Sequence, residues 1–207
     1  MLTVAIQTVP GREASFLATL DSVEAAGFDR SEIVWGIDVN RIGPHPMFLS
    51  LAADLLNRAP KAEWFLILQD DIRLTKGLTA ILWNDLPTDG VVSLFTPGHA
   101  RAQRGGPGWH RIQAMRGSYG AQSLLWPGSL LRSYVLSNPH PERRTGADHE
   151  ILMFLRDRGL PWWYHNPSYT IHAGADESTL SMPGGSEAGR QAAEWLPEAV
   201  VELGRAT

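Results

Sequence analysis

The sequence predicts an α/β fold with a mostly parallel central sheet flanked by helices. Three observations carry that expectation. First, the opening 71 residues alternate between β-type and helical patterns in the order β-α-β-α-β, which is how parallel sheets with helical crossovers read. Second, the third of those β segments is an uninterrupted apolar run, Trp64-Phe65-Leu66-Ile67-Leu68, the mark of a strand covered on both faces. Third, 207 residues at 43% hydrophobic and 19% charged supply a substantial core for one large domain.

Leu2 to Gln7 is rich in β-formers and is stopped by Thr8-Val9-Pro10-Gly11-Arg12. From Glu13 a helix is expected, with Phe16, Leu17, Leu20 and Val23 on one face and Gly27 as its C-cap. Ile33 to Ile37 is the next buried strand, followed by Asp38. Phe48, Leu51, Ala52 and Leu55 mark a helix ending before Pro60. Leu78, Ile81, Leu82 and Leu86 predict a further helix, and Gly90 to Phe95 a strand. Pro97 to Gly108 reads as a surface loop rich in Gly, Arg and Pro. Strands are expected at 112–115 and 119–126 around Gly117-Ser118, then a short helix over 130–136 ended by Asn138-Pro139. Thr145-Gly146-Ala147-Asp148 resembles a helix start, with Ile151, Leu152 and Leu155 at helical spacing up to Gly159. Trp162 to His165 reads as a strand, Tyr169 to His172 leads into Ala173-Gly174, and a last helix is expected over 187–203.

Composition narrows the function classes. Lys+Arg 18 against Asp+Glu 22 gives a net charge of -4, which argues against gripping nucleic acid by bulk charge. The absence of cysteine excludes disulfides, thiolate zinc sites and a cysteine nucleophile. No apolar run reaches membrane-spanning length, and the N-terminus lacks the pattern of a signal peptide, so a cytoplasmic protein is the expectation.

Chemistry concentrates at the strand ends. In a parallel sheet the Thr8–Arg12 loop, Asp38 and Gln69-Asp70-Asp71 all emerge at the carboxyl edge, where open α/β sheets bind ligands. Two adjacent carboxylates there point to a divalent cation and a phosphorylated substrate; the bland reading is an Asp-rich turn. The loop after the first strand offers backbone N–H groups at a helix start, joined by Arg12. Asp38 is a candidate acceptor for a base or ribose, although an Asp after a strand is more commonly a turn former. Together these positions outline a nucleotide site.

The order of elements, the Thr8-Val9-Pro10-Gly11-Arg12 loop and Leu66-Ile67-Leu68-Gln69-Asp70-Asp71-Ile72 resemble the nucleotide-sugar domain of GT-A glycosyltransferases, in particular members with a Glu-Asp-Asp form of the Asp-x-Asp motif. The likeness runs to about residue 174. Gly120-Ala121-Gln122 resembles the segment beside the donor sugar, and Gly146-Ala147-Asp148-His149-Glu150 the segment that carries the catalytic base of inverting members. Asn166-Pro167-Ser168-Tyr169-Thr170-Ile171-His172-Ala173-Gly174 resembles the ending whose His completes the metal site.

The resemblance implies one GT-A-like domain over 1–207, with 1–96 as the nucleotide-sugar half and 97–207 as the acceptor and catalytic half. It implies a donor such as a UDP-hexose or UDP-N-acetylhexosamine, an acceptor hydroxyl on a glycan or small molecule, and a divalent cation on Asp71 and His172 with Asp70 nearby. An imidazole ligand favours Mn²⁺ over Mg²⁺. The base is then Asp148, with Glu150 as second candidate, although a helix N-terminus also lowers a carboxylate's pKa. Trp109, Trp162 and Trp163 are candidates for stacking on acceptor sugars, against a plain core role, and Arg101, Arg104 and Arg111 for contacting a diphosphate. Gln69 departs from the family's acidic residue and removes one charge from the expected metal site. Two other readings share these features: a nucleotidyltransferase, whose first loop is normally richer in Gly and basic residues, and a sugar-nucleotide-binding protein without turnover.

Overall fold

In the computed structural model, which describes residues 1–96, 106–112, 121–137, 146–173 and 195–199, the opening alternation folds as expected. β1 (Leu2–Thr8) is followed by α1 (Glu13–Ala25), β2 (Val34–Ile37), α2 (Pro44–Arg58) and β3 (Trp64–Gln69). β1 lies between the other two and is parallel to both, with Ile6 opposite Trp35 on one side and Leu68 on the other. Glycine sets the end of α1: Gly27 has φ +101 and a Cβ there would lie 2.2 Å from Thr79 Oγ1. Pro44 opens α2, where its missing N–H costs nothing.

Beyond β3 the chain turns at Asp70-Asp71 and leaves the sheet as β4 (Ile72–Leu74). It continues through β5 (Val91–Ser93), β6 (Gly108–Arg111), β7 (Ser123–Pro127), α3 (Gly128–Ser137), α4 (Ala147–Asp157), β8 (Trp162–Asn166) and β9 (Thr170–His172). The main sheet has seven strands in the order β2-β1-β3-β7-β5-β8-β6. β7 runs antiparallel to both neighbours and β6 antiparallel to β8, so the other five strands share one direction. β4 and β9 form a separate antiparallel ribbon in which Ile72 faces His172.

The sheet is covered on both faces. One core joins Phe65, Ile67, Leu124 and Trp126 to Phe48 and Leu55 of α2, Leu131 and Tyr134 of α3 and Ile151 and Phe154 of α4. The other joins Ile6, Leu66, Leu68 and Leu125 to Leu20 and Val23 of α1, to Ile72 and Leu74 of β4, and to Leu78 and Leu82. Among the described residues no helix is long and apolar enough to cross a membrane.

Several local expectations change. β2 is an edge strand rather than a buried one; Trp35 and Ile37 remain about half exposed, with Trp35 packed edge-on against Phe16 of α1 at 6.1 Å between ring centres. On α1 Leu17 is exposed and Thr19 is buried in its stead. The helix expected from Leu78 to Leu86 shrinks to one 3₁₀ turn, Leu78–Ala80: Asp85 takes a left-handed conformation (φ 55), and Pro87 follows directly after Leu86. β6 begins at Gly108, inside what reads as loop, and ends before Ile112, where a strand is expected to start. Residues 195–199 are extended, bridging Ser168 through Trp195 and Lys76 through Glu198, which a Pro at position 197 favours over helix. The rest of the expected last helix, the segment at 113–120, Thr145 and Gly174 lie outside the described residues.

Leu66→Ala removes a fully buried side chain from β3, an interior strand, and is expected to cost about 3 kcal/mol in a urea melt, whereas Leu136→Ala, at an 80% exposed position, should change stability by under about 0.5 kcal/mol.

Candidate active site

The strand order creates a topological switch point. From β1 the chain first crosses to one side, placing β2, and then to the other, placing β3, so the crossovers diverge at the carboxyl ends of β1 and β3. At that point Thr8 closes β1 and its hydroxyl donates to Asp70 Oδ2 at 2.5 Å. Arg12, at the start of α1, reaches the same carboxylate through Nε at 3.2 Å and Asp71 Oδ2 through Nη2 at 3.0 Å. His172 Nε2 lies 3.2 Å from that same Asp71 oxygen. All five side chains are buried or nearly so, Arg12 being 10% exposed.

The register of the β4–β9 ribbon explains why His172 reaches this point. Ile72 pairs with His172 and the Ala173 N–H donates to the Asp71 carbonyl at 2.7 Å, which sets the two side chains together. Thr19 of α1 fixes the turn from beneath. Its hydroxyl lies 2.7 Å from the Asp70 carbonyl and 3.0 Å from that of Ile72, and it accepts from Arg73 Nη1 at 3.1 Å.

The two carboxylates differ electrostatically. Burial pushes Asp70 above the usual carboxylate range; the Thr8 hydroxyl and the Arg12 guanidinium pull down, the Asp71 charge adds to the rise, and the net is upward. Burial also pushes Asp71 up, but the His172 ring and the Arg12 guanidinium outweigh it and hold Asp71 below its ordinary value.

The remaining sequence candidates fall into three groups. Ala121 and Asp148 come together: the Ala121 N–H donates to Asp148 Oδ1 at 2.6 Å, joining the lead-in to β7 to the first turn of α4. Gln122 also belongs to this edge, since its carbonyl accepts from the Gln69 N–H at 2.8 Å and continues the β3–β7 ladder. Glu150 sits half-buried in the same first turn of α4 as Asp148. Asp38 is buried and holds its own loop, accepting from the Ile42 N–H at 2.8 Å and the Gly43 N–H at 3.0 Å. Val9 is half-buried and Pro10 exposed, on the loop that carries Arg12. Gly120, Arg101 and Arg104 lie outside the described residues, and Arg111 is exposed at the end of β6.

The tryptophans do not gather at this edge. Trp162 is 2% exposed within the core and offers no face to a sugar. Trp163 donates its indole N–H to Asp89 at 2.8 Å, which draws the ring toward the opposite edge of the sheet, where β5 begins. Trp109, half-buried, packs edge-on against His165 with ring centres 4.8 Å apart and against Tyr169 at 5.9 Å.

Two features escape sequence reasoning. Thr19 has only the weak signal of a polar residue in line with an apolar helix stripe. Gln7 stands beside Gln69 in register, is nine-tenths buried, and its Oε1 has no hydrogen-bond partner among the described residues, as is true of Gln122 Oε1. Three glutamines therefore stand abreast on β1, β3 and the residue leading into β7, two of them with buried carbonyl oxygens that find no donor among the described residues. Only pairing in the sheet reveals that row.

A divalent cation can be tested against the residues present. Asp71 Oδ1 and His172 Nδ1 are buried and have no hydrogen-bond partner among the described residues. The 3.2 Å separation of Asp71 Oδ2 and His172 Nε2 is close to the spacing of about 3 Å between two ligands at right angles on one small divalent ion. No group of three or more His, Asp or Glu set to hold a metal occurs among the described residues. Two protein ligands completed by phosphate oxygens and water are the usual complement for a hard cation at a diphosphate, so the residues fit.

Because Asp71 is held below its ordinary pKa, its contribution to stability is present above the usual carboxylate range and is lost as pH falls through the lowered value. Asp71→Asn is expected to cost about 3 kcal/mol at pH 7. In urea melts the gap to the wild type should begin to narrow below about pH 4, where the unfolded carboxyl takes up a proton, and close once pH falls past the lowered native value.

Compared with known proteins, the chain matches no family model and no curated protein sequence. Solved structures do match. The catalytic domain of Drosophila β1,4-galactosyltransferase 7, crystallised with xylobiose, superposes with a TM-score of 0.54 at 12% identity over 83% of this chain and 71% of that one. A glycosyltransferase involved in glycosylating the major capsid of PBCV-1 gives 0.48 at 13% identity over 80% and 82% of the two chains. A Bacillus anthracis protein assigned as a glucose-1-phosphate thymidylyltransferase gives 0.46 at 10% identity over 79% and 89%. At 12% identity the likeness to the fly catalytic domain speaks to architecture alone: the chain has a mixed, mostly parallel α/β fold of the GT-A kind.

Proposed function

We propose that this protein transfers a glycosyl group from a nucleoside diphosphate sugar to a hydroxyl of a glycan or other acceptor. The observation that carries the reading is the cluster of Arg12, Asp70, Asp71 and His172 at the switch point of a GT-A fold. α1, α2 and α4 each begin at this edge, so their positive ends add to the field that would attract a diphosphate. The fly enzyme matched by the fold is a galactosyltransferase crystallised with a xylose disaccharide, which supports a sugar donor and a sugar-type acceptor.

In this reading residues 1–96 hold the nucleotide and residues 97–207 supply the acceptor and catalytic side. Thr8, Val9, Pro10 and Arg12 line the diphosphate, and UDP is the expected nucleotide. Asp38, already holding its loop, keeps lone pairs that would accept from the nucleoside. Asp71 and His172 would hold a divalent cation, preferentially Mn²⁺, with Asp70 beside it; when bound it offsets negative charge on the leaving diphosphate. Gln69, Gln122 and the segment from Gly120 lie toward the donor sugar.

Transfer forms a bond from the acceptor oxygen to the anomeric carbon as the bond to the diphosphate oxygen breaks, and the diphosphate leaves with the electron pair. In an inverting reaction the acceptor proton passes to a base. Asp148, which accepts a hydrogen bond from the Ala121 N–H on the α4 side of the site, would be that base, and Glu150 is the second candidate. Of the tryptophans only Trp109 remains as an acceptor contact.

A panel of UDP-hexoses and UDP-N-acetylhexosamines with Mn²⁺ tests the reading. At least one is expected to raise the melting temperature and to be hydrolysed slowly without acceptor. Asp148→Asn should preserve that stabilisation and lower transfer by about 10²-fold or more. Stabilisation by none of the donors would defeat the proposal, and stabilisation without any turnover would make the protein a sugar-nucleotide binder. Release of pyrophosphate from a nucleoside triphosphate and a sugar phosphate would instead make it a nucleotidyltransferase.

A further inference from the structure

We propose that Arg12 is the resident counter-ion of the cation site, which a divalent ion must displace, so that metal and nucleotide bind as a coupled pair. The inference rests on the metal-assisted reading above and adds an order of events and a residue that sets it. Asp71 Oδ2 is the oxygen whose distance to His172 suits a shared ion, and it is also the oxygen held by Arg12 Nη2 at 3.0 Å. An ion on that oxygen at about 2.1 Å would stand no more than about 5 Å from the guanidinium nitrogen, in a site shielded from water. The same guanidinium reaches Asp70 through Nε, so one cation answers both carboxylates.

Charge counting gives the coupling. Asp70 and Asp71 against Arg12 leave one net negative charge. A divalent ion added alone would turn that into one net positive charge in a buried cluster, and a diphosphate alone would meet the two carboxylates. Together they satisfy each other, and Arg12 is released to the diphosphate, where its fork of donors suits phosphate oxygens. The geometry permits the exchange: Pro10 and Gly11 are exposed, and none of the described residues lies within 4 Å of where a Cβ at Gly11 would be, so the loop that carries Arg12 has open space beside it.

The test measures Mn²⁺ binding to the free protein by the loss of its electron paramagnetic resonance signal, with and without UDP. In the wild type UDP is expected to tighten Mn²⁺ by about tenfold or more. Arg12→Gln should bind Mn²⁺ alone about tenfold tighter than the wild type and should lose most of the UDP coupling. Its melting temperature should start lower, with Asp70 and Asp71 deprived of the guanidinium and left to Thr8 and His172, and should rise more with Mn²⁺ than that of the wild type. Arg12→Lys, which keeps a charge but not the fork, should fall between the two and serves where the Gln variant does not fold.

An Arg12→Gln protein that binds Mn²⁺ no tighter than the wild type overturns the proposal. If Asp71→Asn then abolishes Mn²⁺ binding in the presence of UDP, the metal site itself stands and only the role of Arg12 is lost. If the wild type binds no Mn²⁺ even with UDP, the metal-assisted reading fails and this inference with it.

Discussion

Two adjacent carboxylates at the end of a fully buried strand are the constraint around which the molecule is arranged. β3 sits near the middle of the sheet with helices or the ribbon on both faces, so Asp70 and Asp71 leave it with almost no solvent to share their charge. Uncompensated charges in such a place are costly, and the chain brings partners from three directions. Thr8 comes from the neighbouring strand, Arg12 from the first turn of α1 and His172 from the β4–β9 ribbon. Thr19 caps the turn's carbonyls from the buried face of α1. Much of what looks like connection on the α1 side of the sheet exists to bring these groups to one point.

The parallel front of the sheet was legible because its signals are local. Apolar runs of strand length, separated by amphipathic helices, state both the element type and the direction of the crossover. The carboxyl edge then follows from topology, so Thr8, Arg12, Asp38 and the Asp pair could be placed together before any contact was known. What could not be read is decided by neighbours rather than by pattern. Val34 to Ile37 is as apolar as a central strand, yet it is an edge strand, because nothing in its own sequence says whether a second strand will pair outside it. Leu78 to Leu86 has helical spacing, yet two leucines reach the core through a 3₁₀ turn and irregular chain instead.

The second half of the site shows the same division. Asp148 and Ala121 were each expected near the donor, but that they hydrogen-bond each other depends on β7 running against its neighbours. That reversal brings the start of β7, rather than its end, to the reactive edge. It also lines up Gln7, Gln69 and Gln122 across three strands, a row that no single segment announces. Trp162 and Trp163 mislead for a related reason: aromatic residues adjacent in sequence point to opposite faces of a strand, and here one is consumed by the core while the other leans away from the site.

The pairing of Ile72 with His172 has a consequence for the order in which the protein is made. Asp71 and its histidine are separated by nearly half of the chain, and Arg12 lies on the other side of the pair, close to the start. A growing polypeptide can neutralise its buried aspartates with the arginine as soon as β3 docks beside β1, long before the histidine has left the ribosome. The imidazole arrives last, and only if the ribbon adopts the correct register, because a slip by one residue would turn it to the opposite face. The completed cluster is thus a late signature of a chain synthesised through β9 and threaded in the correct register.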